Sequence, residues 1–113
     1  MARGTFSVVY ASSAAGDLER IASFIARDSA ARALAALERI ERCAESLSSQ
    51  PWRGRVVPEL ARLGISEFRE LVARPFRIVY RVEARLVRVY AVLDGRSNLR
   101  EIFLARFART TPT

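Results

Sequence analysis

The stretch from Glu67 to Gly95, EFRELVARPFRIVYRVEARLVRVYAVLDG, constrains the fold more than any other, because much of it alternates at period two. In its middle run Phe76, Ile78, Tyr80 and Val82 fall on one side of a strand, and Arg77, Val79, Arg81 and Glu83 on the other. Such a strand has one buried face and one basic face. The next run, Leu86 to Leu93, is nearly all apolar and broken only by Arg88, which suits a central strand covered on both faces. Ahead of both, Phe68 to Val72 offers a shorter strand. It ends at Ala73, Arg74 and Pro75, since proline cannot donate to a ladder and is at home in a turn. Glu83, Ala84 and Arg85 make the second loop. The expectation is a meander of three antiparallel strands.

The flanking segments supply helices. Thr5 to Tyr10, TFSVVY, reads as a further strand. Ser12 or Ser13 can cap a helix in which Leu18, Ile21, Ala22 and Ile25 recur at helical spacing, with Asp17 and Glu19 near the positive end of its dipole. Asp28 or Ser29 can cap a second helix from Ala30. Its stripe is Ala33, Leu37, Ile40, Ala44 and Leu47, while Glu38, Arg42 and Glu45 stay solvated. The two helices predict an antiparallel hairpin laid on the sheet. Ser48 to Gly64 is irregular and punctuated by Pro51, Gly54, Pro58 and Gly64. Within it, Trp52 reads first as a side chain packed over one end of the core, and second as a stacking platform for a base beside Arg53 and Arg55. Asn98 can cap a last helix, Leu99 to Arg109, with Ile102, Phe103, Ala105 and Phe107 apolar; the tail TTPT is expected to fray. The fold class expected is therefore α+β, in a single domain over residues 1–113: an N-terminal strand, an antiparallel helical hairpin, a three-stranded antiparallel meander and a short C-terminal helix.

Composition then limits the chemistry. The chain carries 19 basic and 12 acidic residues, a net charge of +7, and every basic residue is arginine, with no lysine and no histidine. Such a surface attracts polyanions, whether nucleic acid or an acidic protein segment. A G+C-rich genome would also favour arginine over lysine, which accounts for the ratio but not for the net charge. A serine or cysteine nucleophile here has no histidine base. Cys43, the one cysteine, lies in an apolar helical stripe and reads as a structural thiol; alone it makes neither an internal disulfide nor a zinc site. With no glycine-rich phosphate cradle either, no metal and no cofactor are expected. Glu67 and Glu70 read as sheet-edge charges. No apolar run reaches the roughly 20 residues of a membrane span, and MARGTFSVVY lacks the apolar region of a signal peptide, so a cytoplasmic protein without membrane association is expected.

The arginines do form a constellation. If Arg77, Arg81 and Arg88 project from the sheet face away from the helices, Arg69 joins them from the preceding strand, interleaved with Leu71, Val79 and Tyr90. That face suits an amphipathic acidic peptide, or a phosphate backbone held by bidentate guanidinium contacts. The plainer alternative is a solvated face on which arginine serves solubility.

The order of elements, together with VVYASSAAGDLERI, the loop QPWRGR, FREL, PFRIVYRV and VYAVLDGRSNL, resembles the ParE/RelE superfamily of bacterial toxins from Phe6 to Phe103. The resemblance implies the toxin of a type II toxin–antitoxin pair, of the kind linked to plasmid stabilisation. Such a toxin is held in a hetero-oligomer by an antitoxin whose acidic C-terminal segment wraps it. RelE-like members cut mRNA in the ribosomal A site, and ParE-like members poison DNA gyrase. For the RNase branch the matching catalytic positions are Arg69, Arg77 and Arg96. The family's lysines are absent, and Phe103 lies where its late tyrosine is expected, with the neighbouring Ile102 no better. Arginine stays protonated, so proton transfer loses its usual agents. The histidine that ParE-like members often carry would align near Asp94 and is absent too, but a gyrase poison need not be a catalyst. The resemblance thus implies a gyrase-directed toxin, with Arg69, Arg77, Arg81, Arg88, Tyr90 and Arg96 expected to bind antitoxin or target. A ribosome-dependent mRNA endonuclease and a non-toxic protein-binding module are the alternatives.

Overall fold

The computed structural model describes residues 6–110, with side chains through residue 106. Thr5, the side chain of Phe107 and the expected fraying of residues 111–113 lie outside the described residues. In chain order, β1 (Ser7–Tyr10) leads into α1 (Ser12–Ala26) and α2 (Ala30–Glu45). A 3-10 turn (Ser46–Ser48) and a loop follow, then β2 (Arg55–Val56) and α3 (Pro58–Ala61). The chain continues through β3 (Phe68–Ala73), β4 (Phe76–Glu83), β5 (Leu86–Asp94) and α4 (Leu99–Thr110).

The period-two pattern yields the antiparallel meander β3-β4-β5. Two further strands extend it into one five-stranded sheet of order β1-β5-β4-β3-β2. β1 runs parallel to β5, so β5 has a neighbour on each side, as its apolar run requires. β2 pairs Arg55 with Glu70 and Val56 with Arg69. A strand of two residues and the single turn of α3 carry no periodic signal, and both fall in the segment expected to be irregular.

On one face of the sheet lies the helical hairpin. Ala14 from α1 and Ala36, Ile40 and Ala44 from α2, with Leu47 after it, pack on Leu71, Phe76, Ile78, Tyr80, Val87, Val89 and Val92. Ile40, Ile78, Val87 and Val89 are fully buried, each contributing about 1.5–3 kcal/mol by the usual scaling of burial. Cys43 is half-buried against the same core. The opposite face is roofed in part by α3 and α4, where Leu60, Leu99 and Phe103 meet Val57, Phe68, Val79, Ala91 and Leu93. A register shift between Val79 and Tyr80 places Val79 opposite Ala91 and Tyr80 opposite Val89, leaving Tyr90 unopposed. The extra residue reverses the alternation along β5, so Val87, Val89 and then Val92 serve the same core.

The caps divide. Ser29 accepts from the Arg32 N–H at 3.1 Å and Asn98 from the Glu101 N–H at 3.1 Å, both as expected. At α1 the expected serine cap is absent. Ala11 occupies the cap position, and the Ser13 hydroxyl donates instead to the Tyr90 carbonyl at 2.9 Å. Nor does Asp17 sit in the first turn of α1 as a dipole residue. It is buried, accepts from the Val92 N–H at 2.9 Å, and is held at 2.7 Å by Arg106 from α4.

Candidate functional site

Register decides which arginines share a face. Residues paired across adjacent strands point the same way, and β3 pairs Phe68 with Arg81, Arg69 with Tyr80 and Glu70 with Val79. Arg77, Arg81 and Arg88 therefore lie on the face away from the helical hairpin, as expected. Arg69 does not join them: it shares parity with Tyr80, on the hairpin side, as does Leu71 opposite Ile78. Nor is the face an open basic one, because Val79 is fully buried beneath the second core.

Glu70 organises the first cluster. Its side chain is 0% exposed, which overturns its reading as a sheet-edge charge. Its two oxygens accept from Arg77 Nε at 2.6 Å and Arg55 Nε at 2.7 Å. Arg77, itself only 13% exposed, also grips Glu59 through both terminal nitrogens at 2.7 and 2.8 Å. This bidentate pairing holds the Glu59 carboxyl at about 2, well below the usual carboxylate range, and raises Arg77 further above its already high value. The register explains the meeting, since Glu70 opposite Val79 is the diagonal neighbour of Arg77.

Glu83 organises the second. Arg81 and Arg88 stand directly opposite each other on β4 and β5, a like-charge pairing that alone would be unfavourable. Glu83, expected at the end of this strand face and the start of the loop but not as a partner of the arginines, bridges them: it takes Arg81 Nη2 at 2.9 Å, Arg88 Nε at 3.1 Å and the Tyr90 hydroxyl at 2.6 Å. Partial burial would raise the Glu83 carboxyl, but the bonds from Tyr90 and Arg88 and the charge of Arg81 hold it below the usual range. Burial, then the bond to Glu83, pushes the Tyr90 phenol up. The Arg81 guanidinium lies 5.5 Å from the Phe68 ring and 5.7 Å from the Tyr90 ring, so the cation rests on an aromatic floor. Both arginines remain about a third exposed, at 36%. Beside them a cleft of about 290 Å³ opens between the start of α1, β5 and α4, lined by Ser13, Tyr90, Leu99, Ile102 and Phe103 among others.

The loop before β2 is the third feature. The buried Tyr80 hydroxyl donates to the Pro51 carbonyl at 2.8 Å and accepts from the Gly54 N–H at 2.9 Å. The approach is so close that a Cβ on Gly54 would sit 2.6 Å from both the Glu70 carbonyl and the Tyr80 hydroxyl. Trp52 is 60% exposed, so the loop does not fold it over the core. Instead Arg69 donates to the Gly54 carbonyl at 2.7 Å and sets its guanidinium carbon 5.3 Å from the indole centre. Arg96, in the turn after β5, is 93% exposed and pairs loosely with Asp94 at 3.5 Å.

Sequence reasoning missed Glu59, Glu70 and Glu83 as partners of the arginines. The Arg81-x-Glu83 spacing on one strand face was a usable signal for Glu83; Glu59 and Glu70 needed the register. Among the described residues no group of three or more histidine, cysteine or carboxylate side chains could hold a metal ion. No described helix is long and apolar enough to cross a membrane.

No match to the sequence is found among curated proteins. The model of a family described as the ParE toxin of the type II toxin–antitoxin system parDE matches residues 8–99. Among solved structures the fold is similar to a chain of the chromosomal ParDE toxin–antitoxin system from P. aeruginosa, with a TM-score of 0.66 at 22% identity, covering 80% of this chain and 96% of that one. It is also similar to a chain of the RelBE2 toxin–antitoxin complex from Mycobacterium tuberculosis, with a TM-score of 0.58 at 21% identity, covering 82% and 94%. At these identities the structural likeness speaks for the fold, and the sequence match carries the family. The chain belongs to the ParE toxin family of type II toxin–antitoxin systems.

Proposed function

We propose that this toxin acts by binding DNA gyrase rather than by catalysing a reaction of its own, and that a cognate antitoxin with an acidic segment neutralises it. The observation that carries the first half is the dispersal of Arg69, Arg77 and Arg96. Arg69 lies on the hairpin side at the level of Tyr80, whereas Arg77 lies on the opposite face, committed to two carboxylates. Arg96 follows Asp94, which pairs with Phe76, four residues along β4 from Tyr80 and so roughly 13 Å away along the strand. Attack by a ribose hydroxyl needs a base, an acid and a stabilising cation converging on one phosphate. These three groups do not converge.

The second half rests on the Glu83 cluster. Arg81 and Arg88 share a single carboxylate and are partly open, next to the apolar cleft under α4. An amphipathic segment could place its carboxylates on the arginines and an apolar side chain in the cleft.

The test is gyrase supercoiling of relaxed plasmid with the purified protein titrated in, with and without a trap for cleaved DNA. Inhibition with accumulation of cleaved DNA is expected. Unimpaired supercoiling by folded protein, together with mRNA cleavage on ribosomes, would overturn the reading.

A further inference from the structure

An exposed tryptophan needs an explanation, because burying an indole is among the larger apolar gains open to a chain of this size. Trp52 is 60% exposed although its neighbours Pro51 and Gly54 are buried. The loop that carries it is rigidly held, through the two Tyr80 hydroxyl bonds and the close approach at Gly54. Presentation of the ring to solvent is thus built into well-packed structure.

The ring also has a charged setting. Arg69 lies over it at 5.3 Å and is anchored by carbonyls, at 2.7 Å to Gly54 and 3.3 Å to Trp52 itself. Arg53, next in sequence and exposed, bonds to the Ser46 hydroxyl. These bonds run to neutral oxygens, and among the described residues neither guanidinium has a carboxylate partner. Arg55 stays out of this group: it pairs with Glu70 across the strands, projects from the opposite face of the sheet and shares the Glu70 carboxylate with Arg77. We propose that Trp52, Arg53 and Arg69 form a platform for a single-stranded stretch of nucleic acid, with a base stacked on the indole and adjacent phosphates on the guanidinium groups. A duplex keeps its bases stacked on one another and offers none to the ring. Phosphates suit arginine through paired, planar hydrogen bonds. The rigid loop spares most of the ordering entropy of binding.

Trp52 is the one tryptophan in the chain, so its fluorescence reports on this site directly. The parent protein is titrated at low salt with a short oligothymidylate and, separately, with an abasic strand of the same length and charge. Quenching by the oligothymidylate, and binding of the abasic strand about tenfold weaker without quenching, are expected. With a labelled strand followed by anisotropy, Trp52→Ala should weaken binding about tenfold and Trp52→Phe should retain most of it. Arg53→Ala, also at an exposed position, should weaken binding and flatten its salt dependence. Unchanged thermal midpoints establish that the variants fold. Equal affinity for both strands, or unaltered binding by Trp52→Ala, would overturn the proposal and leave the patch to charge alone or to an acidic protein surface. Gyrase is absent from the assay, so its outcome is independent of the target proposed above.

Discussion

The Glu70 and Glu83 clusters stand on the same sheet face and use the same residue types, yet their surroundings differ. Glu70 lies in the interior of β3 with no side-chain exposure, and Arg77 closes over it with Glu59 as a second carboxylate. Glu83 lies at the end of β4, a quarter exposed, with two arginines and a tyrosine converging on one carboxylate. In the first cluster the charges are matched and the Glu70–Arg77 pair at its centre is withdrawn from water, while Arg55 and Glu59 reach the surface, so removing Glu70 strands a nearly buried arginine. In the second, cations exceed anions and water reaches them. An arginine on a strand thus becomes architectural or available according to how many carboxylates it meets and how far from water it meets them.

The sharpest way to break this comparison is Glu70→Gln. Arg77 and Arg55 would lose their buried anion, at a cost of about 3–5 kcal/mol, and the thermal midpoint should fall by more than about 10 °C. A fall of only a degree or two would mean that Glu70 is no more structural than Glu83. Next in size is Tyr80→Phe, which strips the hydrogen bonds from the Pro51 carbonyl and Gly54 N–H. A loss of about 1–3 kcal/mol is expected in denaturant unfolding, together with a change in Trp52 emission as its loop loosens.

Glu59 gives the comparison a pH axis. Its carboxyl titrates at about 2 in the folded protein, below its unfolded value, so its stabilising effect is present above the usual carboxylate range and is lost as pH falls toward 2. Allowing for solvent screening, the parent should exceed Glu59→Gln by about 1–2 kcal/mol at neutral pH, and the gap should close through acid. A gap that persists undiminished at the acid end would show that the pair with Arg77 is not its source. The smallest effect is expected at the other cluster: Arg81→Ala and Arg88→Ala should each change stability by less than about 1 kcal/mol in the same unfolding measurement.

How far the chain could be read in advance follows the range over which each feature is determined. The alternation of Phe76, Ile78 and Tyr80 and the caps at Ser29 and Asn98 depend on residues a few positions away, and each appeared where the local pattern put it. Asp17 looked like a helix-dipole residue because its partner Arg106 stands 89 positions further on. Glu70 and Arg69 were assigned the wrong surroundings because pairing register, which fixes a side chain's face, is not written within either strand. The bulge at Tyr90 hid the alternation of β5 inside a run that reads as uniformly apolar. Trp52 failed for a different reason. Its loop is closed by the hydroxyl of Tyr80, 26 residues beyond Gly54, and that contact turns the indole outward.

The most direct test of the division between the two clusters is calorimetric titration of the proposed antitoxin into the Arg81→Ala/Arg88→Ala double variant at low and at physiological salt. If the Glu83 cluster is the available one, Kd should rise by about tenfold or more and depend less on salt, while the thermal midpoint stays within a few degrees of the parent. An unchanged Kd at both salt concentrations would contradict the account and place the antitoxin on another surface.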